Sequence, residues 1–211
     1  MTHAALLPES SEVVLWTRAQ KPDVEYAPGI HETISATYNT ETGKYKATSL
    51  QDNAFCSGLS YLNDGRILAM GGEALNVDWG KTWAPWMKLD GRKKIRVFDP
   101  KNKTWTTLPQ ELPGDHWYPT QLNLGDDRTL NVGGFETMVG PANEMVEIFD
   151  AKSGSVAFSN STHFTRAIGE LNLYPFLSLM PRTNPEESAL VFQFICDYSE
   201  LVRISPSNEI E

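Results

Sequence analysis

Apolar and polar residues alternate along most of this chain with a period of two, the spacing of half-buried strands, and the alternating runs stop at turn signals. The clearest case is the stretch 51–73. There an apolar-rich strand from Leu59 to Leu62 meets the tight turn Asn63-Asp64-Gly65, and a second strand, Arg66 to Met70, ends at Gly71-Gly72. Ile34, Ala36 and Tyr38 alternate with polar residues before a turn at Asn39 to Gly43 and a return strand at Lys44-Tyr45-Lys46. Further on, Ile95 to Pro100 predicts a strand, Lys101 to Lys103 a turn, and Trp105 to Pro109 the return. Residues 1–30 predict an irregular lead-in with one strand, Val13-Val14-Leu15-Trp16. No helix is needed anywhere.

The pattern repeats. Moved forward by 62 residues, Asp64-Gly65-Arg66 falls on Asp126-Asp127-Arg128, Gly71-Gly72 on Gly133-Gly134, and Cys56 on Tyr118. The first unit runs from Cys56 to Pro109, and the second from Tyr118 through Phe149-Asp150 to the outer turn Ser153-Gly154. A third begins at Leu173-Tyr174-Pro175 and continues as Ala189 to Ile195 and Leu201 to Ile204, where the double glycine is lost. A glycine pair, an aromatic-Asp step and a following tryptophan punctuate kelch-type repeats of roughly 50 residues. The fold class is therefore all-β: a kelch-type β-propeller, partial, with three to four blades over residues 1–211. The hairpin at 33–46 reads as the outer half of a blade whose inner half is missing or degenerate. Propellers close with about 4–8 blades, so these units predict a chain that is part of a larger propeller, with the rest missing.

Composition changes the picture mainly by exclusion. Hydrophobic residues make up 40% of the chain, enough to bury a core. A net charge of −9 and the lack of a Lys/Arg cluster argue against nucleic acid as a partner. Arg92-Lys93-Lys94 reads as a solvated turn. No window approaches the roughly 20 apolar residues of a membrane span, and Met1 to Pro8 lacks the pattern of a signal peptide. Two sequons, at Asn102 and Asn160, would suit a secreted protein. A loop between Glu73 and Lys94 carries Trp79, Trp83 and Trp86; these rings either cover a blade edge or stack on a sugar or small carbonyl compound.

Candidate chemistry rests on Cys56 and Tyr118. Equivalent positions in adjacent blades are neighbours near the propeller axis, so the two side chains can meet. Taken alone, a cysteine at a strand start is most often a small buried hydrophobe. Beside a phenol and bound copper, however, a thiol can be oxidised to a thioether on the ring, and copper(II) suits nitrogen and oxygen donors.

At these residues the chain resembles the copper-radical oxidases, glyoxal oxidase above all and galactose oxidase more distantly. The resemblance lies in Asn53-Ala54-Phe55-Cys56-Ser57-Gly58, in Asp90-Gly91 with Ile95 to Pro100, in Trp117-Tyr118-Pro119-Thr120 with Gly133-Gly134, and in Asn172 to Leu177. It implies a seven-bladed propeller, extracellular in the intact family member. It also implies copper held by a cross-linked tyrosine, two histidines and an axial tyrosine, oxidising aldehydes or primary alcohols while O2 becomes hydrogen peroxide. Cys56 takes the cross-linking role and Tyr118 the role of metal ligand and radical. The family's axial tyrosine and histidine ligands lie beyond residue 211, and His3, His31, His116 and His163 match none of them. This chain alone is thus expected to be inactive.

His116 stands where the family commonly has arginine and reads as a supporting or surface residue. Tyr174 reads as repeat packing and Cys196 as a core position. Glu136, beside Phe135, replaces the tryptophan of galactose oxidase, which favours the glyoxal oxidase branch. The alternative from another class is a non-catalytic kelch-like module whose loops bind a protein or glycan.

Overall fold

The structure, a computed structural model, describes residues 3–18, 33–50, 53–75, 89–136, 143–160, 173–181, 184, 187–195 and 198–210. Its first sheet is the meander β1 (His3–Leu6), β2 (Glu12–Arg18), β3 (Thr33–Asn39) and β4 (Tyr45–Leu50). The second holds β5 (Ser60–Tyr61), β6 (Ile67–Met70), β7 (Glu73–Leu75), β8 (Leu89–Asp99) and β9 (Thr104–His116). The third holds β10 (Thr120–Asn123), β11 (Arg128–Val132), β12 (Met145–Asp150) and β13 (Val156–Asn160). The fourth holds β14 (Phe176–Leu179), β15 (Ala189–Ile195) and β16 (Tyr198–Ile204). All described pairings are antiparallel. There is no helix among the described residues. This is a partial β-propeller of four blades, as the repeats predict.

One reading is corrected. The lead-in carries two strands rather than one: β1 pairs with β2, His3 opposite Trp16 and Leu6 opposite Val13. The first blade therefore has its inner half, and the hairpin at 33–46 is joined to it through β2. β1 escapes a pattern reading because it is only four residues long and its inward positions are His3 and Ala5, one polar and one small. The strand expected over Leu59 to Leu62 also contracts to β5. The tryptophan loop and Cys196 lie outside the described residues.

Alternation explains the packing. On β6, Ile67 and Ala69 face the first blade, with Trp16, Val14 and Phe98 in the same core, while Leu68 and Met70 face the third blade, with Leu112 and Phe149. A third core between the last two blades gathers Leu130, Val132, Ile148, Val191 and Val202. Every residue of β11 is buried, as expected of a strand covered on both faces.

The outer turns have a common chemistry. Asp99 Oδ1 accepts the N–H groups of Lys101 and Asn102, and Asp150 Oδ1 those of Lys152 and Ser153. Asn39 does the same for Glu41 and Thr42 in the first blade. A side-chain oxygen that satisfies the amides two and three residues on is why an Asp or Asn recurs there. Trp105 closes the seam to the first blade, stacking edge-on to Trp16 and donating from Nε1 to Ser35 Oγ at 2.9 Å. The inner turns repeat as well: Asp64 pairs with Arg66, and Asp126 with Arg128, each at 2.7 Å.

Candidate functional site

Cys56, Tyr118 and Tyr174 precede the innermost strands of three consecutive blades, and all three adopt left-handed backbone, with φ of 62°, 66° and 51°. Side chains resist that region unless surrounding bonds hold them there. Here the backbone supplies them: Tyr118 N–H donates to Cys56 O at 3.0 Å, and Tyr174 N–H to Tyr118 O at 2.9 Å. Each blade is tied to the one before it. For Cys56 the tie is a side chain, since its own N–H donates to His3 Nε2 at 3.1 Å. His3 in turn stacks on Trp16 with ring centroids 5.1 Å apart. Burial lowers the His3 pKa to about 4, keeping the acceptor nitrogen unprotonated.

The double glycines make room for this series. Gly71 has φ 77°, and a Cβ there would lie 2.7 Å from the His116 carbonyl oxygen. Gly134, at φ 80°, would bring a Cβ to 2.5 Å from the Trp117 carbonyl oxygen. Only glycine permits both the conformation and the approach.

The Cys56 side chain is fully buried, and the Tyr118 phenol lies close enough to its thiol to act on it. Burial pushes the thiol pKa up to about 12; the Tyr118 phenol and Trp117 indole pull the other way, and the Glu73 carboxylate adds to the rise. The Tyr118 ring lies between Trp117, at a centroid distance of 4.5 Å, and the edge of Tyr174, at 5.0 Å. Tyr174 OH donates to Ser57 O at 3.3 Å, and burial raises its pKa, with Cys56 and Tyr118 adding to the effect. The structure thus brings the two sequence-predicted residues together and sets Tyr174 against one of them. Ser57 Oγ is buried without a partner among the described residues.

Of the two places expected for His116, supporting or surface, the structure shows the first. It is wholly buried, and its Nε2 pairs with Glu147 Oε2 at 2.6 Å while Nδ1 meets Gly133 O at 2.7 Å. Burial alone would lower its pKa; the Glu147 carboxylate and the Gly133 carbonyl reverse the direction and raise it. With both ring nitrogens engaged, His116 has no lone pair to offer a metal. Among the described residues no three His, Cys, Asp or Glu side chains converge to hold an ion. The residues present fit a sulfur-to-ring cross-link and a single phenolic oxygen donor, and they do not make a complete copper site. Sequence reasoning missed His3 and Glu147. His3 points inward with Ala5 and Leu7, but the outward Ala4 and Leu6 are equally apolar, so no period in the sequence marks it.

The chain is similar to several known proteins. Art an 7 of Artemisia annua, by name an aldehyde oxidase, is 30% identical over 190 residues, covering 84% of this chain and 27% of its own length. An aldehyde oxidase of Vitis pseudoreticulata, GLOX, is 28% identical over 152 residues, covering 70% of this chain and 25% of its own. The chain thus spans about a quarter of the length of these curated relatives. Among solved structures, that of YjhT, a kelch-like β-propeller, aligns with a TM-score of 0.55 and 12% identity over 100% of this chain and 82% of that one. A family profile described as glyoxal oxidase N-terminus matches residues 29–194, which include Cys56, Tyr118 and Tyr174, and by that match the chain belongs to the glyoxal oxidase N-terminal family.

Proposed function

We propose that this chain is the cofactor-bearing portion of a copper-radical oxidase that oxidises aldehydes or primary alcohols and reduces O2 to hydrogen peroxide. The observation that carries the reading is the adjacency of Cys56 and Tyr118, tied between neighbouring blades by the bond from Tyr118 N–H to Cys56 O, with the phenol close enough to act on the thiol. The aldehyde oxidases among the relatives support the substrate class. Ser57 Oγ, buried without a partner among the described residues, supports a site that a further group completes.

In this reading Cys56 and Tyr118 join. A bond forms between Cys56 Sγ and a Tyr118 ring carbon next to the one bearing the hydroxyl. The thiol hydrogen and the ring hydrogen leave as two protons and two electrons, which reduce dioxygen to hydrogen peroxide. The attached sulfur lowers the energy needed to remove an electron from the phenolate. What copper supplies when bound is the second one-electron acceptor beside that ring. Cys56 and Tyr118 hold the ring in place, and Trp117 and Tyr174 shield it from water. The remaining donors belong to the longer protein, so turnover by this chain alone is expected to be negligible. Export of the whole protein is part of the same proposal.

Peptide mapping by mass spectrometry tests the reading. After the folded, reduced chain is incubated with copper and air, one species should join the Cys56 and Tyr118 peptides and be lighter by two hydrogens than their sum. Cys56→Ser should abolish it. Its absence from wild-type chain shown to be folded would sink the proposal.

A further inference from the structure

The second and third blades solve one problem in two ways. In the second blade Arg96 is fully buried, and its guanidinium donates to Gly71 O at 2.7 Å and to Asn53 O at 3.1 Å. Those carbonyls flank Cys56: one is the first glycine of the pair beneath it, and the other lies three residues before it. Moved by 62 residues they become Gly133 O and Asp115 O, which flank Tyr118. In the third blade the residue in Arg96's place is Glu147, since Arg96 pairs with Ala69 across the sheet as Glu147 pairs with Asn131. A carboxylate cannot donate to a carbonyl.

Three side chains make up the loss. His116, which replaces Ala54 of the second blade, offers Nδ1 to Gly133 O at 2.7 Å. Asn143 Nδ2 donates to Asp115 O at 2.7 Å. Glu147 binds the group together: Oε2 meets His116 Nε2 at 2.6 Å and accepts from Asn131 Nδ2 at 2.9 Å, while Oε1 accepts Gly114 N–H at 3.1 Å. The same two carbonyls are therefore satisfied by an arginine in one blade and by a His-Asn-Glu assembly in the next.

We propose that His116, Asn143 and Glu147 jointly replace the buried arginine of the neighbouring blade and act as positioning residues for Tyr118. They fix the turn from Asp115 to Tyr118 on one side, while Gly72 N–H holds it on the other by donating to His116 O at 2.8 Å. The phenol meets the Cys56 thiol because this turn cannot relax. The inference deepens the oxidase reading, and part of its test stands apart from it.

The test transplants one solution onto the other. Variants His116→Ala and Asn143→Ala each remove a donor; the triple variant His116→Ala, Asn131→Ala, Glu147→Arg copies Ala54, Ala69 and Arg96 into the third blade. Ile148→Ala, a core change in the same blade, serves as a control of similar stability. Two readouts are taken on the full chain: the labelling rate of Cys56 by a thiol reagent, resolved by peptide, and the yield of the Cys56–Tyr118 cross-link in copper and air. In the single variants Cys56 should label about tenfold faster than in wild type, the signature of a local opening. Their cross-link rate should fall about tenfold or more, since small misplacements of reacting groups are costly. The triple variant should return both readouts to within about threefold of wild type, and the control should move neither.

If His116→Ala does not fold, Asn143→Ala and the triple variant still decide the matter. A folded triple variant that labels as fast and cross-links as slowly as the singles would overturn the proposal, as would wild-type behaviour in both singles. If wild type itself does not cross-link, the oxidase reading fails while the labelling series still judges the positioning role.

Discussion

Lowering the pH from 8 to 5 asks whether His3 holds Cys56 as the structure places it. His3 Nε2 accepts the Cys56 N–H, so protonating that nitrogen sets two donors against each other and buries a charge. His3 is only 9% exposed, and burial lowers its pKa from the ordinary 6.5 to about 4. The sign follows from proton counting. Between those two values the unfolded chain binds a proton that the folded chain refuses, so the contribution is fully present above 6.5 and is lost as the pH falls toward 4. At pH 5 the loss is about 2 kcal/mol, and at the folded pKa it approaches about 3 kcal/mol.

Urea unfolding of wild type and His3→Gln at pH 8 and pH 5 measures the effect, because a glutamine oxygen can accept the same N–H without titrating. Carboxylates and His116 titrate alike in both proteins and cancel in the comparison. Wild type should lose about 2 kcal/mol more than the variant between the two pH values. Equal losses, within about 0.5 kcal/mol, would refute the assignment of His3 as a neutral acceptor.

Three further outcomes are expected. Phe98→Ala, at a fully buried position between the first two blades, should lower stability by about 3–5 kcal/mol in denaturant unfolding with little change in slope. Gly134→Ala forces a Cβ into left-handed backbone at 2.5 Å from the Trp117 carbonyl, so it should cost more than about 1 kcal/mol by thermal unfolding and slow cross-linking at Tyr118. Because the Cys56 thiol is buried and its pKa is pushed up to about 12, iodoacetamide at pH 8 should label Cys56 roughly a thousandfold more slowly in the native chain than in urea.

Much of the architecture is legible in local chemistry. Strand alternation, Asp99 and Asp150 at the outer turns, the Asp-x-Arg inner turns and the two glycine pairs each act within a few residues, so their spacing marks the blades directly. The shared place of Cys56 and Tyr118 in the repeat is legible for the same reason, because equal register puts equivalent residues side by side around an axis. Other features depend on partners far away in the chain. His3 reaches Cys56 across 53 positions, and nothing in the short strand His3–Leu6 marks it as an inner strand until Trp16 and β2 lie against it. His116 cannot be told from a surface histidine until β12 brings Glu147 to it. The sequence by itself determined the later three blades, their order and the shared register of Cys56 and Tyr118, because those follow from short-range periodicity. Tertiary structure alone decided how the buried carbonyls beside Tyr118 are satisfied, since a buried polar group takes whichever donor the packed neighbouring strand presents.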